Sequence, residues 1–334
     1  MGELIFITGA SGFLGSATAV EALRQGYKLR ICLRGPCKKL ETLLSRYSTD
    51  VEFVIVPDFT NEAAFSGQLD GVDYILHLAS PVPHGTESEY YFVASKITTN
   101  VLQEATRARS IKKVVVMSSL ASLLPVGVLI TDSIVKEHNP WNITVDEAAD
   151  FTVFKDSTTT AMNLYHASKL LANKVTWEFW KNRRPHYSLV VLHPGFTFGH
   201  NLMQTNAEEI RSTSNEGFWQ TITSGTQAIG LNCVHIRDVA EAQIRALSPN
   251  VVDGSSYLLA PNKSTWREVA EIVQRNYPDT DAKITAGIKE NQSLPFLSTD
   301  CSRAEVELGM KWRSMDEMVR DVIDQQLAIS RHVG

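Results

Sequence analysis

The sequence is poor in the features that mark secreted, membrane-bound and metal-binding proteins. It has only four cysteines in 334 residues, and none of them form a CxxC pair or a zinc-ligand spacing. Its longest apolar stretch, near residues 120–130, is much shorter than the roughly 20 residues that span a bilayer. No basic segment precedes the first strand-like run, so we expect no signal peptide. We therefore expect free thiols, no metal, no membrane partner and a cytoplasmic location.

The charge balance lacks a strong excess of either sign. Lys and Arg number 32 and Asp and Glu number 37, which gives a net charge of −5. A mildly acidic chain without a basic block is a poor candidate for binding nucleic acid. Its composition, 43% hydrophobic and 21% charged, is that of a globular protein. We expect a small-molecule partner, and the sequence leaves the oligomeric state open.

Short apolar runs alternate with helical stretches through the first half of the chain. The predicted strands are residues 4–8, 29–33, 51–56, 74–78, 114–118 and 188–193. The predicted helices lie near residues 13–25, 37–47, 90–109, 160–181, 237–247, 265–276 and 303–332. This alternation is typical of an α/β fold with a doubly wound parallel sheet. We predict a Rossmann-like domain from residues 1–194 and about 231–259, and a smaller C-terminal substrate-binding lobe from residues 195–230 and 260–334.

Three glycines with the spacing G-x-x-G-x-x-G join the first predicted strand to the first predicted helix. They are Gly9, Gly12 and Gly15 in the run TGASGFLG. Glycines in this position allow a tight turn, close approach of the backbone to a pyrophosphate, and close packing of helix on strand. The helix N-terminus that follows attracts phosphate groups. The alternative is a loop that only turns the chain, but the strand–helix junction favours a dinucleotide site.

The segment after the second predicted strand indicates which dinucleotide binds. An NAD site usually has an acidic residue there, to hold the ribose 2′-hydroxyl. Residues 28–40 contain no acid and several bases, including Arg34 and Lys38. Two cations at this place suit a 2′-phosphate and favour NADP, although a solvated basic helix start is the alternative. Asp58, after the third strand, is a candidate for the adenine amino group or else a surface turn residue.

Tyr165 and Lys169 lie four residues apart in a predicted helix and therefore on one helix face. An ammonium beside a phenol favours the phenolate, so this tyrosine can act as a general acid near neutral pH. The alternative is a surface pair without chemistry. Ser118 and Ser119 end the fifth predicted strand, at the edge where such sheets bind ligands. We predict Ser119 as a donor to a substrate carbonyl and Ser118 as the weaker candidate, with simple strand-end capping as the alternative.

The run TGASGFLG, the strand-end serine pair and the run YHASK together resemble the extended short-chain dehydrogenase/reductases. Four further segments are similar to the dihydroflavonol reductase-like branch, which includes fungal NADPH-dependent carbonyl (methylglyoxal or aldehyde) reductases. These are LHLASP at 76–81, the helix at 165–180, HPGFTFG at 193–199 and VHIRDVA at 234–240. The chain departs from the branch at His193, where Asn is usual, and at His200, where Pro is usual.

The resemblance implies hydride transfer from NADPH to a carbonyl. Tyr165 would protonate the nascent alkoxide, Lys169 would hold the cofactor ribose and favour the phenolate, and Ser119 would polarise the carbonyl. The implied cofactor contacts are Gly9, Ser11, Gly12, Phe13, Gly15, Arg34, Lys38, Asp58, Phe59, Ala79, Ser80, Ser118, Tyr165, Lys169, Pro194 and Ser214.

The segment between Ser119 and Tyr165 is long for the branch and contains many apolar residues. The expected substrate pocket consists of Pro81, Leu120, Phe151 and Phe154. An apolar roof favours a bulky or aromatic ketone, such as a polyketide-like intermediate of specialised metabolism. The alternative is that these apolar residues only pack the core of a lobe.

Sugar-nucleotide epimerases and dehydratases share this fold, so the fold alone leaves the reaction open. A dehydratase would have Asp-Glu after the strand-end hydroxyl, where this chain has Leu120 and Ala121. An epimerase keeps NAD bound, which Arg34 disfavours. A third alternative, an NADP-sensing regulator without activity, would usually have lost the tyrosine that Tyr165 supplies. The sequence does not indicate which carbonyl compound is reduced.

Overall fold

The computed structural model shows a parallel sheet covered by helices on both faces. It describes residues 2–81, 90–126, 133–139, 143–144, 157–225, 229–261, 264–278 and 297–331. Within these ranges, no helix combines the length and the apolar character that crossing a membrane requires.

In the described chain, seven strands pair in parallel in the order β10-β7-β5-β4-β1-β2-β3. These strands are β1 (Leu4–Thr8), β2 (Lys28–Leu33), β3 (Val51–Ile55), β4 (Tyr74–His77), β5 (Lys113–Met117), β7 (Ser188–Pro194) and β10 (Ser255–Leu259). The strand order reverses between β1 and β4, as it does in doubly wound sheets. The predicted Rossmann-like fold is confirmed, and six of these strands were predicted near their observed positions.

Nine α-helices and two short sheets are the other main elements of the described residues. The helices are α1 (Phe13–Arg24), α2 (Lys38–Leu43), α3 (Tyr90–Arg107), α4 (Ser157–Arg183), α5 (Asn215–Ser224), α6 (Ile236–Arg245), α7 (Trp266–Asn276), α8 (Ser302–Glu307) and α9 (Met315–Arg331). The short sheets pair β6 (Ile134–Val135) with β11 (Ser298–Thr299), and β8 (Phe196–Phe198) with β9 (Cys233–His235).

Alternation along the strands creates two apolar layers, one on each face of the sheet. Ile5 and Ile7 of β1 point to the layer that α1 and α6 cover, whereas Phe6 points to the layer that α3 and α4 cover. Both faces of every central strand are thereby buried, which explains why the strands are continuously apolar in sequence. Polar side chains are therefore left to the carboxyl edge of the sheet, where the strands end and the loops begin.

A third apolar cluster lies outside the central sheet and joins β8, β9, α5, α7 and α9. Its fully or nearly fully buried members include Phe198, Phe218, Trp266, Val269, Met318 and Val322. The charged tail forms two helices and not the single helix that we predicted. Gly309, with φ of +65°, adopts the left-handed conformation after α8, and its carbonyl accepts a hydrogen bond from Arg245.

Candidate active site

Parallel pairing brings the carboxyl ends of the central strands to one edge of the sheet. Thr8, the last residue of β1, pairs with Cys32 of β2 on one side and with His77 of β4 on the other. The turns that follow these strands are therefore neighbours, although they lie far apart in sequence. The reversal point between β1 and β4 is where ligands bind in folds of this kind.

The glycine-rich turn packs against the start of the loop after β4. Gly9 has a φ of +81°, and a Cβ there would lie 2.7 Å from the backbone nitrogen of Ala79. A Cβ on Gly15 would overlap the carbonyl oxygen of Gly9. The first turn of α1 contains no acidic residue, so its N–H groups and helix dipole stay available to an anion. Ser11 lies in this turn and Phe13 begins α1, and their contacts with a pyrophosphate stay predictions.

Three cations follow β2 at the same edge, but they are not equivalent. Lys39 forms an ion pair with Glu209, and that bond is the main cause that lowers the pKa of Glu209 to about 2. Arg34 and Lys38 are exposed, and no ion pair joins either of them to another described residue. They are the cations that could bind a 2′-phosphate.

Asp58 and Phe59 lie in the loop after β3. Oδ1 of Asp58 accepts hydrogen bonds from the backbone nitrogen and the hydroxyl of Thr60, and these bonds lower the pKa of Asp58. The ring of Phe59 is buried against Phe65, so a contact of this residue with adenine would come from its backbone. Asn100, which sequence reasoning missed, donates to the Phe59 carbonyl at 3.0 Å and fixes this loop.

Tyr165 and Lys169 lie one turn apart on α4. The Lys169 ammonium is 5.5 Å from the centre of the Tyr165 ring and donates a 2.9 Å hydrogen bond to the Ser80 hydroxyl. Lys169 is buried, and it lines a small cavity together with Ser80 and Ser118, whereas Tyr165 is half-buried. The structure thus brings together three of the predicted site residues, from α4 and from the loop after β4.

His77, at the end of β4, ties the strand ends together and was not predicted as a site residue. Thr98 donates to the Ala94 carbonyl, so Nε2–H of His77 donates to Thr98, and Nδ1 accepts from the Thr8 hydroxyl at 2.8 Å. Burial and the nearby charge of Lys169 lower the pKa of His77 to about 3. The ring is therefore neutral, and its hydrogen bonds link β4 to β1 and to α3 near Lys169.

Ser118 and Ser119 differ in how their hydroxyl groups are used. Ser118 donates its proton to the Ser122 hydroxyl at 2.9 Å. The Ser119 hydroxyl only accepts, from the backbone nitrogen of Ala121 at 3.2 Å, among the hydrogen bonds of the described residues. Ser119 therefore keeps a proton to donate, which agrees with its choice over Ser118 as a carbonyl donor.

Two histidines hold the 3₁₀ turn Leu120–Leu123 that follows Ser119. His166, next to Tyr165 on α4, bonds through Nε2 to the Leu124 carbonyl at 2.9 Å. Nδ1 of His193, at the end of β7, lies 2.9 Å from the Ser122 hydroxyl and 3.3 Å from the Ser119 carbonyl. Sequence reasoning missed both contacts because the bonded residues are 42 to 74 positions apart in the chain.

Pro194 and Ser214 occupy less direct positions. Pro194 is the buried last residue of β7, paired with Leu259 of β10. The Ser214 hydroxyl donates to the Thr197 carbonyl, so its proton is already used. Their cofactor contacts stay predictions.

The expected substrate pocket is only partly described. Pro81 is half-buried and directly follows Ser80, whose hydroxyl accepts from Lys169. Leu120 is buried against Leu123 and Val135, so its side chain belongs to an apolar cluster and has little surface to offer a substrate. For Leu120 the structure therefore favours the core-packing alternative. Phe151 and Phe154 lie outside the described residues.

Comparison with known proteins agrees with this geometry. The model of the NAD dependent epimerase/dehydratase family matches residues 5–260. The chain is 54% identical to the Aspergillus fumigatus ketoreductase sphI, over 97% of each chain. The Gre2–NADPH complex from Candida albicans has a TM-score of 0.80 and 25% identity, covering 98% of this chain and 99% of that one. Vestitone reductase from alfalfa has the same fold, with a TM-score of 0.78 and 22% identity over 98% and 99%.

Proposed function

The chain belongs to the NAD dependent epimerase/dehydratase family of extended short-chain dehydrogenase/reductases, and from that membership we propose that it is a ketoreductase with Tyr165 as general acid. More broadly, it is an NADP-dependent oxidoreductase. The observation that carries the proposal is the similarity to a fungal ketoreductase over nearly the full length of both chains. The predicted family is confirmed by the family model, and the similarity supports carbonyl reduction as the reaction.

The described residues fit NADPH. A Cβ on Gly9 or Gly15 would clash with the protein backbone, so only glycine allows this tight turn, and the first turn of α1 presents N–H groups that no acidic residue of that turn neutralises. Arg34 and Lys38 would hold the 2′-phosphate, which distinguishes NADPH from NADH. When bound, NADPH supplies the hydride.

The chain supplies the proton and stabilises the charge that develops on the substrate oxygen. The Ser119 hydroxyl donates a hydrogen bond to the carbonyl oxygen, and Tyr165 transfers its phenolic proton to that oxygen as the hydride reaches the carbon. Lys169, 5.5 Å from the Tyr165 ring, stabilises the phenolate that remains. Water then returns a proton to Tyr165, and the product is an alcohol.

We propose a bulky or aromatic ketone as the substrate, with reduction as the working direction. The ketoreductase similarity and the apolar composition of the segment between Ser119 and Tyr165 support this choice. Pro81, which directly follows Ser80, would contact the substrate.

The test is NADPH oxidation by the purified protein with aldehydes, diketones, aromatic ketones and polyketide-like ketones. We expect turnover of at least one bulky ketone, and Tyr165→Phe should lower kcat by at least about 100-fold, because it removes the proton donor. The dissociation constant for NADPH should stay within about twofold in that variant.

Tyr47→Phe is the matched control, because it removes the same oxygen from a residue that precedes β3, at the opposite edge of the sheet. An unchanged rate in Tyr165→Phe would refute the mechanism. Tight NADPH binding without turnover of any ketone would favour a sensor, and NAD retained through purification would favour an epimerase.

A further inference from the structure

We propose that His193 is a positioning residue that holds Ser119 in the orientation needed to donate to the substrate carbonyl. This inference rests on the proposed ketoreductase function. It starts from the place of the ring: His193 is 0% exposed and follows Val190, Val191 and Leu192, which are equally buried. A polar ring is costly in such surroundings unless both ring nitrogens form hydrogen bonds.

The hydrogen bonds around His193 can be assigned by counting protons. Ser122 has one hydroxyl proton, and its oxygen lies 2.7 Å from the Ser119 carbonyl, so the proton must be there. The Ser122 oxygen then accepts from Ser118 at 2.9 Å and from Nδ1 of His193 at 2.9 Å. Nδ1 of His193 therefore carries a proton, which also faces the Ser119 carbonyl at 3.3 Å.

The other ring nitrogen completes the assignment. Nε2 of His193 lies 2.8 Å from the Ser256 hydroxyl on β10 and accepts its proton. Burial lowers the pKa of His193 to about 4, so near neutral pH the ring is neutral and has the single N–H that the count requires. One tautomer therefore satisfies every hydrogen bond around the ring.

These hydrogen bonds hold the backbone of Ser119 through its carbonyl oxygen. The Ser119 carbonyl receives both the Ser122 hydroxyl and Nδ1–H of His193, whereas the Ser119 hydroxyl accepts only from Ala121. Holding the carbonyl fixes the backbone from which the Ser119 side chain projects. The N–H of Ala121 restrains the Ser119 oxygen, and the hydroxyl proton stays available to a substrate. Small displacements of a donor have large effects on rate, so His193 acts on the reaction through Ser119.

Two substitutions separate this role from simple core packing. The amide nitrogen of Asn reaches about as far as Nδ1 of histidine, and the amide of Gln about as far as Nε2. We therefore expect His193→Asn to keep kcat within about threefold, and His193→Gln to lower kcat on the order of tenfold. The dissociation constant for NADPH should be unchanged in both. Equal losses of kcat in the two variants, in proportion to lost stability, would overturn the proposal.

Further variants locate the effect. Ser256→Ala removes only the contact at Nε2, so kcat should stay within about twofold. Ser122→Ala, a smaller change than either histidine variant, should lower kcat as His193→Gln does. In Ser119→Ala, the added His193→Gln change should have little further effect, because the group that His193 positions is gone. Additive losses in that double variant would also contradict the proposal.

A measurement without turnover separates this inference from the proposed function. Nitrogen-15 NMR of labelled histidines distinguishes the two neutral tautomers, and the signal that His193→Asn removes belongs to His193. We expect a proton on Nδ1. A proton on Nε2 would overturn the assignment even in an active enzyme, whereas a proton on Nδ1 in a protein that reduces no ketone would mean that only the ketoreductase proposal fails.

Discussion

His77 and His193 are buried imidazoles that stay neutral because a second ring proton would place a positive charge inside the protein. Burial lowers the pKa of His77 to about 3, with the charge of Lys169 as a second cause, and burial lowers the pKa of His193 to about 4. In the unfolded chain both rings have an ordinary histidine pKa near 6.5. The two rings that hold the strand ends together are therefore also sites where acid acts on stability.

We predict that the free energy of unfolding decreases as the pH falls from about 6.5 to about 4. In that range the unfolded chain binds protons that the folded chain does not, so each ring contributes a slope of up to about 1.4 kcal/mol per pH unit. The His193 contribution ends near pH 4 and the His77 contribution near pH 3. Urea unfolding across this range measures the slope. His193→Asn should reduce it, whereas His186→Asn, at an exposed position, should not; equal slopes in all three proteins would contradict the argument.

A second prediction concerns Arg34, the exposed cation directly after β2. Arg34→Glu should raise KM for NADPH by at least about tenfold, because a carboxylate would face the 2′-phosphate. KM for NADH should change far less, since NADH has no phosphate there. Initial rates with the two cofactors measure the ratio. Arg24→Glu, at the far end of α1, is the charge-matched control, and a persistent strong NADPH preference in Arg34→Glu would place the phosphate elsewhere.

Sequence reasoning named Ser80, Ser119, Tyr165 and Lys169 because short motifs contain them, and the structure places these residues at one edge of the sheet. It could not assign the different proton states of Ser118 and Ser119, since these depend on Ser122 and on the ring of His193. It also gave no partner for Lys39, which pairs with a residue 170 positions away. Contacts between residues so far apart in the chain leave no pattern in the local sequence.

The segment from Leu202 to the 3₁₀ helix Ala207–Ser212 lies beside the predicted cofactor groove. Leu202 packs against the small cluster of Ala17, Ile236 and Ala240, and the Lys39–Glu209 pair joins this segment to the start of α2. The pair is partly exposed, with 45% and 31% of the two side chains accessible. The pair therefore contributes little to stability, and the negative charge of Glu209 matters more for the binding of NADPH nearby.

We predict that Glu209→Gln strengthens NADPH binding by about threefold at low salt, because it removes a negative charge near the 2′-phosphate site. The free energy of unfolding should change by less than about 1 kcal/mol. Titration of NADPH fluorescence at low and high salt measures the effect, which should shrink as salt screens the charge. Glu208→Gln, the neighbouring exposed acid on the same turn, is the control. Weaker NADPH binding would show instead that the ion pair is needed to order the site.

Strands and helices of the first two hundred residues could be predicted because continuous apolar runs and helical periodicity alternate there. The strand β10 (Ser255–Leu259) was missed, since its sequence SSYLL begins with two serines and lacks a continuous apolar run. Its burial follows from pairing with β7, which no local pattern reveals. The break between α8 and α9 was missed for a related reason: it depends on Gly309 and on its contact with Arg245.

For the whole molecule we propose the division that the sequence predicts, with residues 1–194 and about 231–259 in one domain and the remaining segments in a lobe. Two observations support it. The helix α6 packs against α1, and β10 extends the central sheet beside β7, although both follow residue 230. Phe198, Phe218 and Trp266 meet in a separate apolar cluster. The chain thus leaves the sheet region after β7, returns to it, and leaves again.

That return has a consequence for biosynthesis. A protein is made from its amino end, and its early segments begin to fold before the later ones exist. Until residues 236–245 emerge, the face of the nascent sheet beside α1 lacks α6. Until residues 255–259 emerge, β7 pairs only with β5 and its other side is exposed. Unpaired apolar edges associate readily with other chains. A chain cut short between β7 and β10 would therefore expose one side of β7, and we expect such a fragment to aggregate more readily than the full chain.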